Sequence, residues 1–342
     1  MPRRPPTEWA RNVRGAPSTV RPYGVVVICT KDRPGEVTMS CAAAQRASPG
    51  KPIIVVDAST TDLTRQACAR LLHEFDGSLE LLYRRARRPG LARQRNEAIS
   101  FCRQLGAELV HFIDDDTEVT EGYFEAIEAR FRGEGMVMGI GGVVVNQPQV
   151  NFVAAKRLFL LGSNQPSSVL RSGRNVLGQY PDASPTEPVD WLIGCSMSFR
   201  LDIFEEISFD NAMEGYSLGE DYDFSFRASR KHRLVVEPRA RCTHHFSPIL
   251  RGSARTHARQ STEATHRWVQ QHTDLGMSSL AFWWSTLGDL ILHLGYGAIT
   301  AEQEMLQSAL GVVDGVLAIA RRALAGAPDE TSTPMSSLQR PS

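Results

Sequence analysis

The sequence predicts an α/β domain on a mainly parallel sheet, followed by a helical C-terminal region. Three observations lead there. Short runs rich in Val, Ile and Leu recur at Gly24–Cys29, Ile53–Val56, Leu79–Tyr83 and Leu109–Ile113, as strands covered on both faces should read. Segments with helical spacing separate them, and strand–helix alternation at this interval argues for parallel pairing. From Ser253 to about Ala325 the spacing is helical with no further strand.

The clearest intervening helix spans Leu91–Leu105. Leu91, Ala92, Ala98, Ile99, Cys102 and Leu105 share one side, and Gly106 supplies a stop. Thr120 is expected to cap a helix carrying Tyr123, Phe124, Ile127 and Phe131. Met136–Val145 then reads as a strand, with Gly139–Gly142 a strand or bulge within it. Residues 146–189, rich in Asn, Gln, Ser, Pro and Gly, form a long excursion. Trp191–Arg200 (strand), Leu218–Lys231 (helix) and Arg233–Val236 (strand) follow. The implied organisation is a flexible arm (1–22), a main domain (23–250), a helical region (251–327) and a disordered tail (328–342).

Composition narrows the function classes. The 342 residues are 42% hydrophobic and 22% charged, which excludes a collagen, a coiled coil or a wholly disordered chain. With 38 basic and 38 acidic residues, no net field favours nucleic acid or an anionic membrane. The six cysteines show no CxxC spacing, so reduced, buried thiols in a cytoplasmic protein are expected. The arginines at 3, 4, 11 and 14 lie among prolines with no apolar run behind them, so a loose arm is expected rather than a signal peptide.

The most informative segment is His111-Phe112-Ile113-Asp114-Asp115-Asp116-Thr117. Two carboxylates about 4 Å apart repel by roughly 4 kcal/mol at an effective dielectric near 20. A divalent cation such as Mn2+ or Mg2+ would compensate. In extended chain Asp114 and Asp116 point one way and Asp115 the other, so one pair can face a metal and the third a ligand or the sheet. The alternative is a solvated acidic turn with an Asp as helix cap.

A second acidic site opens the next helix. In Ser217-Leu218-Gly219-Glu220-Asp221, Ser217 and Glu220 fit a capping box, which leaves Asp221 as a candidate general base. Downstream, His244 and His245 alternate faces along a strand, so at most one reaches the carboxylates. Of the run Arg84, Arg85, Arg87, Arg88, Arg93 and Arg95, the first four read as a solvated face. Arg93 and Arg95 oppose a helix dipole, a placement that suits a nearby anion.

Taken in order, VVICTKDRP (Val25–Pro34), IVVDASTTDLT (Ile54–Thr64), GLARQRNEAI (Gly90–Ile99), FIDDDT (Phe112–Thr117), GCSMSFR (Gly194–Arg200), GEDYDFSFR (Gly219–Arg227) and Pro238–His244 resemble the family 2 glycosyltransferases. The resemblance covers about Tyr23 to Phe246. It implies a GT-A-type mixed, mainly parallel sheet flanked by helices, and an inverting transfer from a nucleotide-diphosphate sugar to a glycan, lipid-linked or small-molecule acceptor. It places Thr30, Arg33 and Asp57 on the nucleoside and Arg95 and Asn96 on the donor side. Asp114 to Asp116 become its DxD element, with Asp116 the direct metal ligand and His244 a further one. Asp221 becomes the base, with Glu220 beside it on the acceptor side or as helix cap. The family's common VDDxS pattern has Ala58 here in place of its second Asp.

Rival readings are a nucleotidyltransferase, which lacks its Gly-rich phosphate loop here, and a catalytically silent sugar-nucleotide-binding or scaffold module, against which the intact acids weigh. The stretch from Leu280 to Ile299 is apolar but interrupted by Ser285, Asp289 and His293. Packing within the protein or peripheral contact with the inner face of the membrane is expected rather than a crossing. With Met305–Ala323, a second amphipathic helix, it offers a homodimer contact, a lipid-linked acceptor site or only core.

Overall fold

The structure is a computed structural model and describes residues 21–147, 153–177, 187–213, 219–246 and 253–325. The expected arm (all but its last two residues), the C-terminal tail, Ser217 and parts of the 146–189 excursion lie outside the described residues. The chain divides into two compact units, Met1–Leu170 with Arg174–Arg251, and Arg171–Gly173 with Gly252–Ser342.

The first unit begins as strand–helix repeats: β1 (Gly24–Thr30), α1 (Pro34–Ala47), β2 (Ile53–Asp57), α2 (Leu63–Glu74), β3 (Leu81–Arg85), α3 (Leu91–Gln104) and β4 (Leu109–Asp114). It continues through β5 (Thr117–Val119), α4 (Tyr123–Gly133), β6 (Val137–Val144), α5 (Val153–Leu158), β7 (Ser196–Arg200), α6 (Ile203–Glu206), α7 (Glu220–Ser229) and β8 (Arg233–His244). The sheet order is β3-β2-β1-β4-β7-β6-β8-β5. The strands from β3 to β4 pair in parallel, β7 is antiparallel to β4 and β6, β8 is parallel to β6, and β5 is antiparallel to β8. This is the mixed, mainly parallel α/β sheet that the sequence predicts.

Alternation along the strands builds two cores. Val26 and Ile28 join α1, α2 and α4 on one face, while Val25 and Val27 join α3, α6 and α7 on the other. Both cores are sealed, so the free ends of the strands are where polar chemistry can sit.

Several elements differ from expectation. Thr120 is not the cap of α4: its hydroxyl donates to the Arg241 carbonyl at 2.9 Å, and Gly122, left-handed at φ 78°, starts the helix. The third strand starts two residues later than expected. The Trp191–Arg200 strand is only β7, because Ser196 N closes a turn on Ile193 O and Gly194 N goes to Asp221. The final strand is far longer than Arg233–Val236. The β6–β8 register skips from Val236 to Arg241 between Gly141 and Val143, so Pro238 falls in a bulge and takes no ladder position.

The second unit contains α8 (Ala254–Gln271), α9 (Ser279–Thr300) and α10 (Gln303–Leu324). Ser253 caps α8, its side chain accepting from Thr256 N. Among the described residues, no helix is long and apolar enough to cross a membrane. All six cysteines are free and five are buried; burial pushes the Cys68 and Cys102 thiols up to about 12.

Candidate active site

At the carboxyl ends of β1 and β4 a cleft of about 640 Å³ opens, lined by Thr30, Arg33, Gly90, Arg93, Asp114, Asp115, Asp116, Gly194, Glu220, Asp221 and His244. Strand ends of an α/β sheet expose unpaired backbone and meet helix N-termini, which makes them natural ligand sites.

The aspartate triplet leaves β4 in a turn that reverses into β5. Ser40 of α1, completely buried, holds it: its Oγ lies 2.8 Å from the Asp115 carbonyl and 2.6 Å from that of Thr117, and accepts from Thr117 N at 3.0 Å. The turn rather than extended-chain alternation splits the triplet, since Asp115 and Asp116 are its turn residues, and Arg33 reaches both, at 3.0 and 3.7 Å. Asp115 goes one way, accepting from the Thr30 hydroxyl at 2.6 Å and from Arg33 at 3.0 Å. Asp114 and Asp116 go the other way and meet His244, their ligand atoms all within 4.8 Å of one another.

Strand pairing brings the histidine in. β5 and β8 align Thr117 with His244, and His245 N donates to the Asp116 carbonyl at 2.9 Å. His244 Nε2 stands 2.8 Å from Asp116 Oδ1. His245, on the opposite face, reaches Glu118 instead, at 3.2 Å. Asn146 fixes the backbone of His244 from both sides, donating to its carbonyl at 2.7 Å and accepting from its N–H at 3.0 Å.

Arg95 ties the two acidic sites together. Its guanidinium pairs with Glu220 and reaches Asp114 Oδ1 and the Gly194 carbonyl, each at 3.2 Å. It lies over the rings of Phe112 and Phe209. The charge that opposes the α3 dipole is thus met by protein carboxylates, a partner that the sequence reading did not supply. Glu220 is the first residue of α7, after left-handed Gly219. A capping-box acid belongs two positions further into the helix, so Glu220 is not that acid.

Asp221 accepts from Gly194 N at 2.7 Å. A Cβ at Gly194 would stand 2.9 Å from Asp221 Oδ2 and 3.1 Å from Arg95, so only glycine allows this approach. Burial raises the Asp114 carboxyl against the pull of Arg95. It pushes Asp115 up to about 7, opposed by the Thr30 hydrogen bond and Arg33, and Glu220 up to about 8, opposed by Arg95.

Three expected site residues, Asp57, Arg95 and Asn96, do not line the cleft, and Arg95 is buried. Asp57, fully buried at the end of β2, accepts from Ser59 N at 2.8 Å and the Tyr83 hydroxyl at 2.5 Å. Asn96 clamps the Phe209 backbone, donating to its carbonyl at 2.8 Å and accepting from its N–H at 3.1 Å. Arg85, half-exposed as expected of that face, is nonetheless tied down: it reaches Thr61 O at 2.9 Å and Asp62 at 2.6 Å. Ser40 and Asn146 escaped the sequence reading. A lone polar residue on the apolar side of α1 was the available signal for Ser40; for Asn146, in an irregular stretch, there was none.

The model of the family described as "Glycosyl transferase family 2" matches residues 25–208. Among solved structures, the mannosyltransferase PcManGT from Pyrobaculum calidifontis, in complex with GDP-Man and Mn2+, is similar at 16% identity and a TM-score of 0.50, over 93% of this chain and 83% of that one. GalNAc-T7 with UDP, GalNAc and Mn2+ is similar at 14% identity and a TM-score of 0.51, over 65% of this chain and 43% of that one. No curated protein matches the chain in sequence. With more than half its length matched by the family model, on a mixed sheet with its acids at the strand ends, the chain belongs to glycosyl transferase family 2 and is a glycosyltransferase.

Proposed function

We propose that the enzyme transfers a sugar from a nucleoside-diphosphate donor to an acceptor hydroxyl with inversion, using Asp221 as general base and a divalent cation held by Asp114, Asp116 and His244. One observation carries the reading: that trio opens into the same cleft as Asp221. Two carboxylates and one imidazole suit Mn2+ better than Mg2+, which prefers oxygen donors. The Mn2+ in the complexes of PcManGT and GalNAc-T7 supports the choice. When bound, the cation would neutralise charge on the departing diphosphate.

The chain's own residues do the rest. Asp115, gripped by Thr30 and Arg33, marks the nucleoside side of the cleft. Asp221 takes the proton of the acceptor hydroxyl as its oxygen attacks the anomeric carbon. The bond to the diphosphate oxygen breaks with the electron pair leaving on the diphosphate, and one displacement inverts the centre. Arg95 acts indirectly, holding Asp114 and Glu220 in place. The two neighbours carry different nucleosides, GDP and UDP, so the base is left to experiment. The acceptor is a glycan, a lipid-linked sugar or a small molecule. Free, buried thiols support a cytoplasmic setting.

The test is donor turnover in Mn2+, with product stereochemistry read by NMR. Inverted product is expected, abolished by a chelator and restored by Mn2+. Retained configuration would remove Asp221 from its role, and turnover indifferent to chelation would remove the cation.

A further inference from the structure

In the second unit, α9 and α10 each carry an exposed apolar stripe. On α9 the outward positions Leu280, Trp284, Leu287, Ile291 and Leu294 follow alternating spacings of four and three, and no exposed position of this helix carries a charge. On α10, Leu306, Leu310, Val313 and Leu317 repeat that spacing. The opposite face of α10 is already used. A Cβ at Gly311 would lie 2.2 Å from the Arg255 carbonyl, and one at Gly315 would lie 2.8 Å from Thr262, so these glycines let α8 sit directly on the helix.

The open face is large. At roughly 150 Å² for an aliphatic side chain and 250 Å² for Trp, the fractional exposures leave roughly 700 Å² of apolar surface open. An ordinary monomer's largest patch is about 300–600 Å², and a standard interface covers about 800 Å² per partner. The charge pattern selects the occupant. Residues 253–325 carry five arginines and no lysine against six carboxylates, which gives no basic rim for a lipid surface. Along the outward side of α10, exposed Glu302 stands at one end and exposed Arg321 at the other. A two-fold axis near Val313 would set each acidic end against the partner's arginine.

We propose that the outward faces of α9 and α10 are a self-association surface, covered by a second copy of this chain in antiparallel, isologous pairing. The surface lies outside the catalytic residues, so its fate is separable from theirs.

Sedimentation equilibrium of the full chain without detergent, from ~1 to 100 µM, tests the proposal, because a dimer titrates with concentration. A dimer is expected, and Leu287→Glu with Val313→Glu should leave a monomer with unchanged far-UV circular dichroism. Should that variant fail to fold, a charge exchange at exposed positions still decides. Glu302→Arg should weaken association by about tenfold or more, and adding Arg321→Glu should restore it. A native chain monomeric at the highest concentration overturns the proposal, as does a charge exchange without effect. A monomer that sediments with phosphatidylcholine vesicles also overturns it, with lipid as the occupant.

Discussion

Two polar clusters sit three residues apart on β4, and they are built to opposite rules. His111 belongs to a sealed network, its Nδ1 2.8 Å from the Ser198 hydroxyl and its Nε2 3.3 Å from Glu128, which also meets Lys51 and, at 3.2 Å, Arg132. There one carboxylate collects several partners. Burial works against the Glu128 charge, but His111 and Lys51 outweigh it and hold the carboxyl down at about 2. At Asp114 the ratio reverses: five carboxylates line the cleft, with Arg33 and Arg95 paired into them. There burial wins and carboxyls rise, Asp115 to about 7 and Glu220 to about 8. A balanced, closed cluster stabilises the fold; an acid-rich, open one is left short of positive charge, which a ligand can supply.

Paired substitutions give the largest expected contrast. Asp116→Asn should cut turnover on the order of 10³-fold with little change in melting temperature in metal-free buffer, since relieved carboxylate repulsion offsets the weakened pairing with His244 and Arg33. Glu128→Ala should do the reverse, leaving Lys51 and His111 without their carboxylate at a cost of about 3 kcal/mol, with turnover per folded molecule kept. Denaturant melts beside donor assays check both, and a destabilised Asp116→Asn would erase the distinction.

A smaller effect probes the packing of the sealed cluster. A Cβ at Gly24 would stand 2.4 Å from His111 Nε2 and 2.7 Å from Glu128. Gly24→Ala should therefore cost about 1–3 kcal/mol, readable as a lower denaturant midpoint. The smallest concerns pH. Burial lowers the His111 pKa below its ordinary 6.5. Below about pH 6.5 the unfolded chain thus takes up a proton more readily than the folded one. Stability therefore falls as pH falls, by at most about 1.4 kcal/mol for each pH step of one. Melting temperatures from pH 7.5 to 5 should show that decline, and His111→Gln should flatten it. An unchanged slope would assign it to other groups.

Much of this was legible in the chain. The strand runs, with their alternation, and the α3 pattern with its glycine stop appeared as read, because they rest on backbone geometry alone, whereas a turn and not extended chain set Asp115 apart from Asp114 and Asp116. The same alternation separated His244 from His245 but did not choose between them; the β5–β8 register made the choice. Thr120 and the capping-box spacing at Glu220 misled for a related reason. Local cap signals compete with partners from distant strands and helices, and here Arg241 and Arg95 won.

Local chemistry, then, determined the fold class, the order of elements and the residue types at the strand ends, since periodicity and charge repulsion act between near neighbours. Tertiary structure decided which groups meet. Ser40 under the aspartate turn, Arg95 between Asp114 and Glu220, and Gly194 against Asp221 join residues between 19 and 125 positions apart. Contacts over such separations leave no local pattern, because they exist only once the sheet has brought the strand ends together.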